Sequence, residues 1–158
     1  MTAPTVSAFL RAVLPEHGIY VVARSDDGGL QKRDDGKSGM NQQAVGFVED
    51  LVRISDECYN QPKDVWFALA AFHQGWHTVQ TSTGEKQQLR VRTNVRAVRS
   101  LWLDIDAGHG KSYSNRKEAL TALLAFCKDA GMPCPWVVNS GRNGLHVYWT
   151  LTNEVETG

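Results

Sequence analysis

Apolar residues fall at helical spacing at the start of the chain, where Val6, Phe9, Leu10, Val13 and Leu14 share one face and Pro4 precedes them. GIYVVAR (18–24) is a continuous apolar run of strand length, and SDDGG (25–29) marks a turn into a polar, glycine-containing loop. Ala44, Phe47, Val48, Leu51, Val52 and Ser55 outline a second amphipathic helix, with Glu49, Asp50, Arg53 and Glu57 on its opposite face. VWFALAAF (65–72) predicts one buried strand, although period alone does not separate strand from helix there. GWHTVQ (75–80) is expected to pair with it before a polar loop, TSTGEKQQ.

The pattern then changes. In SLWLDIDAGHGKS (100–112) two aspartates interrupt an apolar run. Side chains of a strand alternate, so Leu101, Leu103 and Ile105 point one way and Trp102, Asp104 and Asp106 the other, the carboxylates roughly 7 Å apart at Cβ. A helix follows: Asn115 and Glu118 have capping-box spacing, Leu120, Leu123, Leu124 and Cys127 form its apolar face, and Gly131 with Pro133 stops it. PWVVNS (135–140) and LHVYWTL (145–151) are two further strands joined by a glycine-rich turn. Strand, helix, strand, strand is most of a ferredoxin-like or RRM-like unit, which ends in another helix and strand. The expected class is α/β in the α+β sense, a mostly antiparallel sheet with helices on one face.

Composition narrows the setting. The 158 residues suffice for one domain with a core, and 17 basic residues balance 17 acidic ones, which excludes coating of nucleic acid by bulk charge. The charge is uneven: residues 86–99, KQQLRVRTNVRAVR, hold Lys86, Arg90, Arg92, Arg96 and Arg99 and no acid, a stripe suited either to a phosphate backbone or to a solvated surface. No span or signal segment is apparent, so a cytoplasmic location without membrane is expected. Cys58, Cys127 and Cys134 lack paired spacing and read as reduced core thiols.

Two carboxylates held this close repel and are costly to bury, and a divalent cation is the simplest partner. Residues 104–112 fit neither a phosphate loop, whose first glycine would be Ile105, nor an EF-hand, which would want Asp or Asn where Gly108 stands and Gly where His109 stands. In NSGRNGLHVYWTL (139–151), Gly141 and Gly144 permit a turn that presents N–H groups to an anion, Ser140 offers a hydroxyl and Arg142 a forked cation. Alternation places His146, Tyr148 and Thr150 opposite Leu145, Val147 and Trp149. One sheet covered by helices on its apolar face would therefore expose Asp104, Asp106 and His146 together.

LWLDIDAG and SGRNGLHVYW resemble, in order and spacing, the two motifs of the archaeo-eukaryotic primase superfamily, hydrophobic-D-hydrophobic-D and S-G-x-x-G-x-H. Residues 100–151 carry the resemblance, and the upstream segment is more weakly similar to phage- and plasmid-encoded members. The resemblance implies one primase-polymerase domain over 1–158, with an N-terminal αβ unit (1–99) and a partial RRM-like unit (100–158). It makes Asp104 and Asp106 ligands of catalytic Mg²⁺ or Mn²⁺, and Ser140, Gly141, Arg142, Gly144 and His146 the nucleotide-binding set, with His146 also catalytic. Arg90, Arg92, Arg96 and Arg99 would follow single-stranded DNA. The implied activity is DNA-templated transfer of a nucleotide from an NTP or dNTP to a 3′-hydroxyl. A third acidic ligand comes from a later strand in this family, and only Glu154 and Glu156 remain here. Either the chain is a fragment of a longer primase, the favoured expectation, with a helicase or further domain as candidate partner, or another acid or chain substitutes for that ligand. A non-catalytic nucleotide- or nucleic-acid-binding module with a degenerate primase fold is the rival; a metal-dependent nuclease leaves S-G-x-x-G-x-H unexplained.

Overall fold

The computed structural model describes residues 4–25, 40–59, 61, 64–139 and 143–157. The architecture is α+β with mostly antiparallel sheets. Two compact units emerge, residues 1–98 with 154–158, and residues 99–153. The segment 154–158, expected with the second unit, thus belongs to the first.

In the first unit, helix α1 (Val6–Val13) starts at Thr5, whose hydroxyl accepts from the Ala8 N–H at 3.2 Å. It buries Leu10 and Val13. Strand β1 (Tyr20–Ser25) lies between β2 (Met40–Val45) and β3 (Val65–Phe67), so its backbone is paired on both edges, and Tyr20 through Ala23 are buried. That burial is why the run is apolar without alternation. The turn and loop expected from residue 26 lie outside the described residues. Helix α2 (Val48–Tyr59) buries Val48, Leu51, Ile54 and Cys58 and turns the Arg53 ion pairs with Asp50 and Glu57 to solvent. It begins later than the sequence suggests, because Ala44 is in β2 and Phe47 is exposed.

Three expectations upstream of the aspartates are corrected, among them the pairing of GWHTVQ with VWFALAAF, since His77–Thr81 pairs with Gly84–Gln88 in a sheet of their own. VWFALAAF is not one strand: β3 pairs with β1, whereas β4 (Ala70–Phe72) pairs with β7 (Val95–Ile105), so two sheets draw on the same run. TSTGEKQQ is not a loop. It supplies most of a hairpin, β5 (His77–Thr81) with β6 (Gly84–Gln88), turned at Ser82 and Thr83. A two-stranded ribbon is solvated on both faces, which removes the apolar alternation that marks a half-buried strand.

Arg96 is tied down within the same unit. Its guanidinium donates to Glu154 Oε2 at 2.6 Å, to Glu156 Oε1 at 3.4 Å and to the His17 carbonyl at 2.9 Å, while Glu154 Oε1 accepts from the Glu16 N–H. Gly18 makes room, since a Cβ there would lie 2.8 Å from Ala71 Cβ and 3.2 Å from Arg96 Nε, at a φ of +126°.

In the second unit the sheet runs β7, β9 (Leu145–Glu156), β8 (Trp136–Asn139), part of the strand order β4-β7-β9-β8. Helix α3 (Arg116–Asp129) covers one face. Ala119, Leu123 and Cys127, at i, i+4 and i+8, pack with Leu145, Val147, Trp149 and Ala107. The expected helix face is half right: Leu123 and Cys127 are buried, but Leu120 and Leu124 are exposed and Ala119 takes their place. Leu101 and Leu103 are exposed too, 55% and 42%, although the sequence suggests a buried strand. Along β7, β4 pairs with Val95, Ala97 and Val98 and not with the leucines, and the core packed under α3 meets β7 at Ile105.

Cys58 and Cys127 are buried, but Cys134 is exposed, against expectation, and all three are free. Among the described residues no helix is long and apolar enough to cross a membrane.

Arg96→Met should lower the free energy of unfolding by about 1–3 kcal/mol, because it strands a largely buried carboxylate and a backbone carbonyl. Urea denaturation measures this; an unchanged midpoint would mean the cluster does not hold the unit together.

Candidate functional site

Everything at the site follows from which face of the second unit's sheet α3 occupies. With Leu145, Val147 and Trp149 under the helix, alternation turns His146, Tyr148 and Thr150 to the other face of β9. Asp104, on neighbouring β7, meets His146 there: Asp104 Oδ1 lies 3.7 Å from His146 Nε2, with both side chains about half exposed. Tyr148, two residues on, is buried, and its hydroxyl is pushed above the usual phenol range by that burial and then by the Asp104 charge. Trp102 shares the Asp104 side of β7 and is 63% exposed.

Asp106 sits just past the end of β7, where its carboxylate accepts a hydrogen bond from Lys111 Nζ at 2.8 Å. That hydrogen bond, followed by the ammonium charge, holds Asp106 below the usual carboxylate range and raises Lys111. The lysine comes from a loop closed by a bridge between Ala107 and Tyr113, with the Gly108 N–H donating to the Tyr113 carbonyl at 2.8 Å. Gly108 and Gly110 both have positive φ, 124° and 73°, so the loop turns back within a few residues.

Helix α3 begins where this loop ends. Asn115 Oδ1 accepts from the Glu118 N–H at 3.0 Å, and Glu118 Oε2 accepts from the Ser114 N–H and hydroxyl at 2.9 and 2.6 Å. The capping box foreseen from sequence is present, with its reciprocal arm shifted to Ser114.

Ser140, Gly141 and Arg142 lie outside the described residues. The two residues ahead of β9 are placed: Gly144 is buried, and a Cβ on Gly108 would lie 3.5 Å from Asn143 Nδ2. Asn143 therefore adjoins Gly108 in the loop after the aspartates. Asn143 and Lys111 were not singled out from sequence. Lys111 had a signal, a lone cation across a glycine loop from the aspartate pair.

Asp104 and Asp106 offer hard oxygen donors of the kind that hold Mg²⁺ or Mn²⁺ through one or two carboxylates plus substrate phosphates, with Asp106 engaged by Lys111. Among the described residues no three His, Cys, Asp or Glu side chains converge as a ready-made metal cluster. Glu154 and Glu156 are both engaged by Arg96.

The basic stripe is not uniform. Arg96 is neutralised in its cluster and is withdrawn from the surface cations. Arg99 is half-buried, Arg90 donates to the neutral Gln42 side chain at 3.2 Å and keeps its charge, and Arg92 is exposed in a 3-10 turn.

No family model, curated protein or solved structure matches the chain.

A carboxylate with a depressed pKa contributes stability above its unfolded pKa and loses it as pH falls through the folded one. The stability gap between wild type and Lys111→Met should therefore be open at neutral pH and close in acid, below the usual Asp range. Urea midpoints against pH test this; a gap that widens in acid would contradict it.

Proposed function

We propose that this chain is the catalytic part of a metal-dependent nucleotidyltransferase of the primase-polymerase kind, acting on nucleoside triphosphates and a single-stranded DNA template. One observation carries the reading: Asp104 and His146, from two motifs about forty residues apart, stand 3.7 Å apart on the sheet face opposite α3. Neither side chain belongs to the core packed under α3, and both are about half exposed.

Asp104 and Asp106 would hold Mg²⁺ or Mn²⁺, which when bound supplies Lewis acidity toward the phosphates and the attacking hydroxyl. His146 donates a hydrogen bond to the triphosphate from its place beside Asp104. Ser140, Gly141, Arg142 and Gly144 would supply the backbone N–H groups, hydroxyl and guanidinium that receive the phosphates. A bond forms from the 3′-oxygen to the α-phosphorus as the bond to the bridging oxygen breaks; pyrophosphate leaves and the hydroxyl proton passes to solvent. Arg90 and Arg92 give the template a sequence-independent phosphate contact. The setting is the cytoplasm, where nucleotides and single-stranded DNA are found together.

A second reading, a nucleotide- or DNA-binding module without catalysis, is favoured by one feature: the remaining acids Glu154 and Glu156 are spent on Arg96. Primer extension separates the two.

Asp104→Ala should cut Mn²⁺-dependent primer extension by about a hundredfold or more, given that even losing a group that only hydrogen-bonds to a metal's ligand costs up to about that much, while leaving apo stability unchanged. Extension that survives the substitution would remove the carboxylate from catalysis. Replacing Arg90 and Arg92 by Gln should flatten the slope of log DNA affinity against log salt by roughly 1.4, at about 0.7 per contact; an unchanged slope would sink the assignment.

A further inference from the structure

Lys111 is the one residue of the glycine loop whose charge is turned back onto the aspartate pair. Its ammonium donates to Asp106 at 2.8 Å, it is also attracted by Asp104, and it is half exposed. It stands where positive charge on Asp106 would otherwise come from a metal. The loop carries it without anchoring it in a core: Gly108 and Gly110 adopt positive φ, the Lys111 N–H donates to the Gly108 carbonyl at 3.1 Å, and the side chain reaches Asp106 across open surface.

We propose that Lys111 is a resident counter-cation of the Asp104–Asp106 pair that makes the site prefer a metal–triphosphate complex over free metal. This rests on the nucleotidyltransferase reading of the pair. The physical reason is charge balance. A divalent cation arriving alone must displace the ammonium from Asp106 and then sit close to a like charge. A metal–triphosphate complex carries net negative charge, so the displaced ammonium gains a phosphate oxygen as it loses the carboxylate. The same residue then weakens one ligand and strengthens the other. In the empty state it also screens two carboxylates that would otherwise repel.

The test measures both affinities at low ionic strength, where exposed charges act at longer range. Mn²⁺ alone is followed by the EPR signal of the free ion, and a non-hydrolysable nucleotide by fluorescence at saturating Mn²⁺, in wild type, Lys111→Met and Lys111→Arg. Lys111→Met should bind Mn²⁺ alone about twofold to fivefold tighter and the nucleotide about twofold to fivefold more weakly, the range of exposed ion pairs. Lys111→Arg, which keeps the charge, should match wild type in both. Affinities that move in the same direction, or that do not move, overturn the proposal, as does a wild-type protein and Lys111→Met variant that both fail to bind Mn²⁺. Primer extension is scored separately: the crossed pattern without extension keeps the role of Lys111 and removes the polymerase reading.

Discussion

The period-two alternation of β9, locked by what α3 buries, is the constraint on which the site depends. Leu145, Val147 and Trp149 go under the helix with Ala119, Leu123 and Cys127, and removing any of them from water is unfavourable to reverse. His146 and Tyr148 have no choice of side once that is fixed. A slip of one residue would bury the histidine and expose the apolar set, so the same force that builds the core places the face that carries Asp104 and His146. Asp104 then needs only to be on the matching side of β7 to meet His146. Asn143, just ahead of β9, lies beside Gly108 of the loop after β7.

The first unit uses its charges differently. Arg96 gathers Glu154, Glu156 and the His17 carbonyl into one cluster, and Gly18 leaves the space that this close approach needs. A guanidinium in such a fork makes directed hydrogen bonds and is not available as a loose surface charge. The arginines of residues 90–99 thus divide between structure and surface although the sequence presents them as one stripe.

This division shows what was legible in the sequence. The alternation of LHVYWTL, the N-cap at Asn115, the helix stop at Gly131, where Met132 N–H donates to the Cys127 carbonyl, and the α+β class are local properties of the chain and were readable. The partners of Arg96 were not, because Glu154 is fifty-eight residues away and no local rule pairs them. The β5–β6 hairpin was missed since a ribbon wet on both faces has no apolar period, and β3 and β4 were fused since two sheets share one apolar run. Leu101, Leu103, Leu120 and Leu124 read as core by pattern, yet burial depends on what covers them. At the site, the facing of Asp104 and His146 was legible from alternation in two strands; the Lys111 contact was not, as it depends on how Gly108 and Gly110 fold the loop.

The most direct test of the central claim, that the face carrying Asp104 and His146 receives a metal-bound nucleotide, is paramagnetic NMR. Titrating Mn²⁺ into labelled protein with a non-hydrolysable nucleotide should broaden the His146 ring signals and the amides flanking Asp104 and Asp106 before any others. Broadening centred elsewhere, or none at His146 with nucleotide demonstrably bound, would contradict the claim.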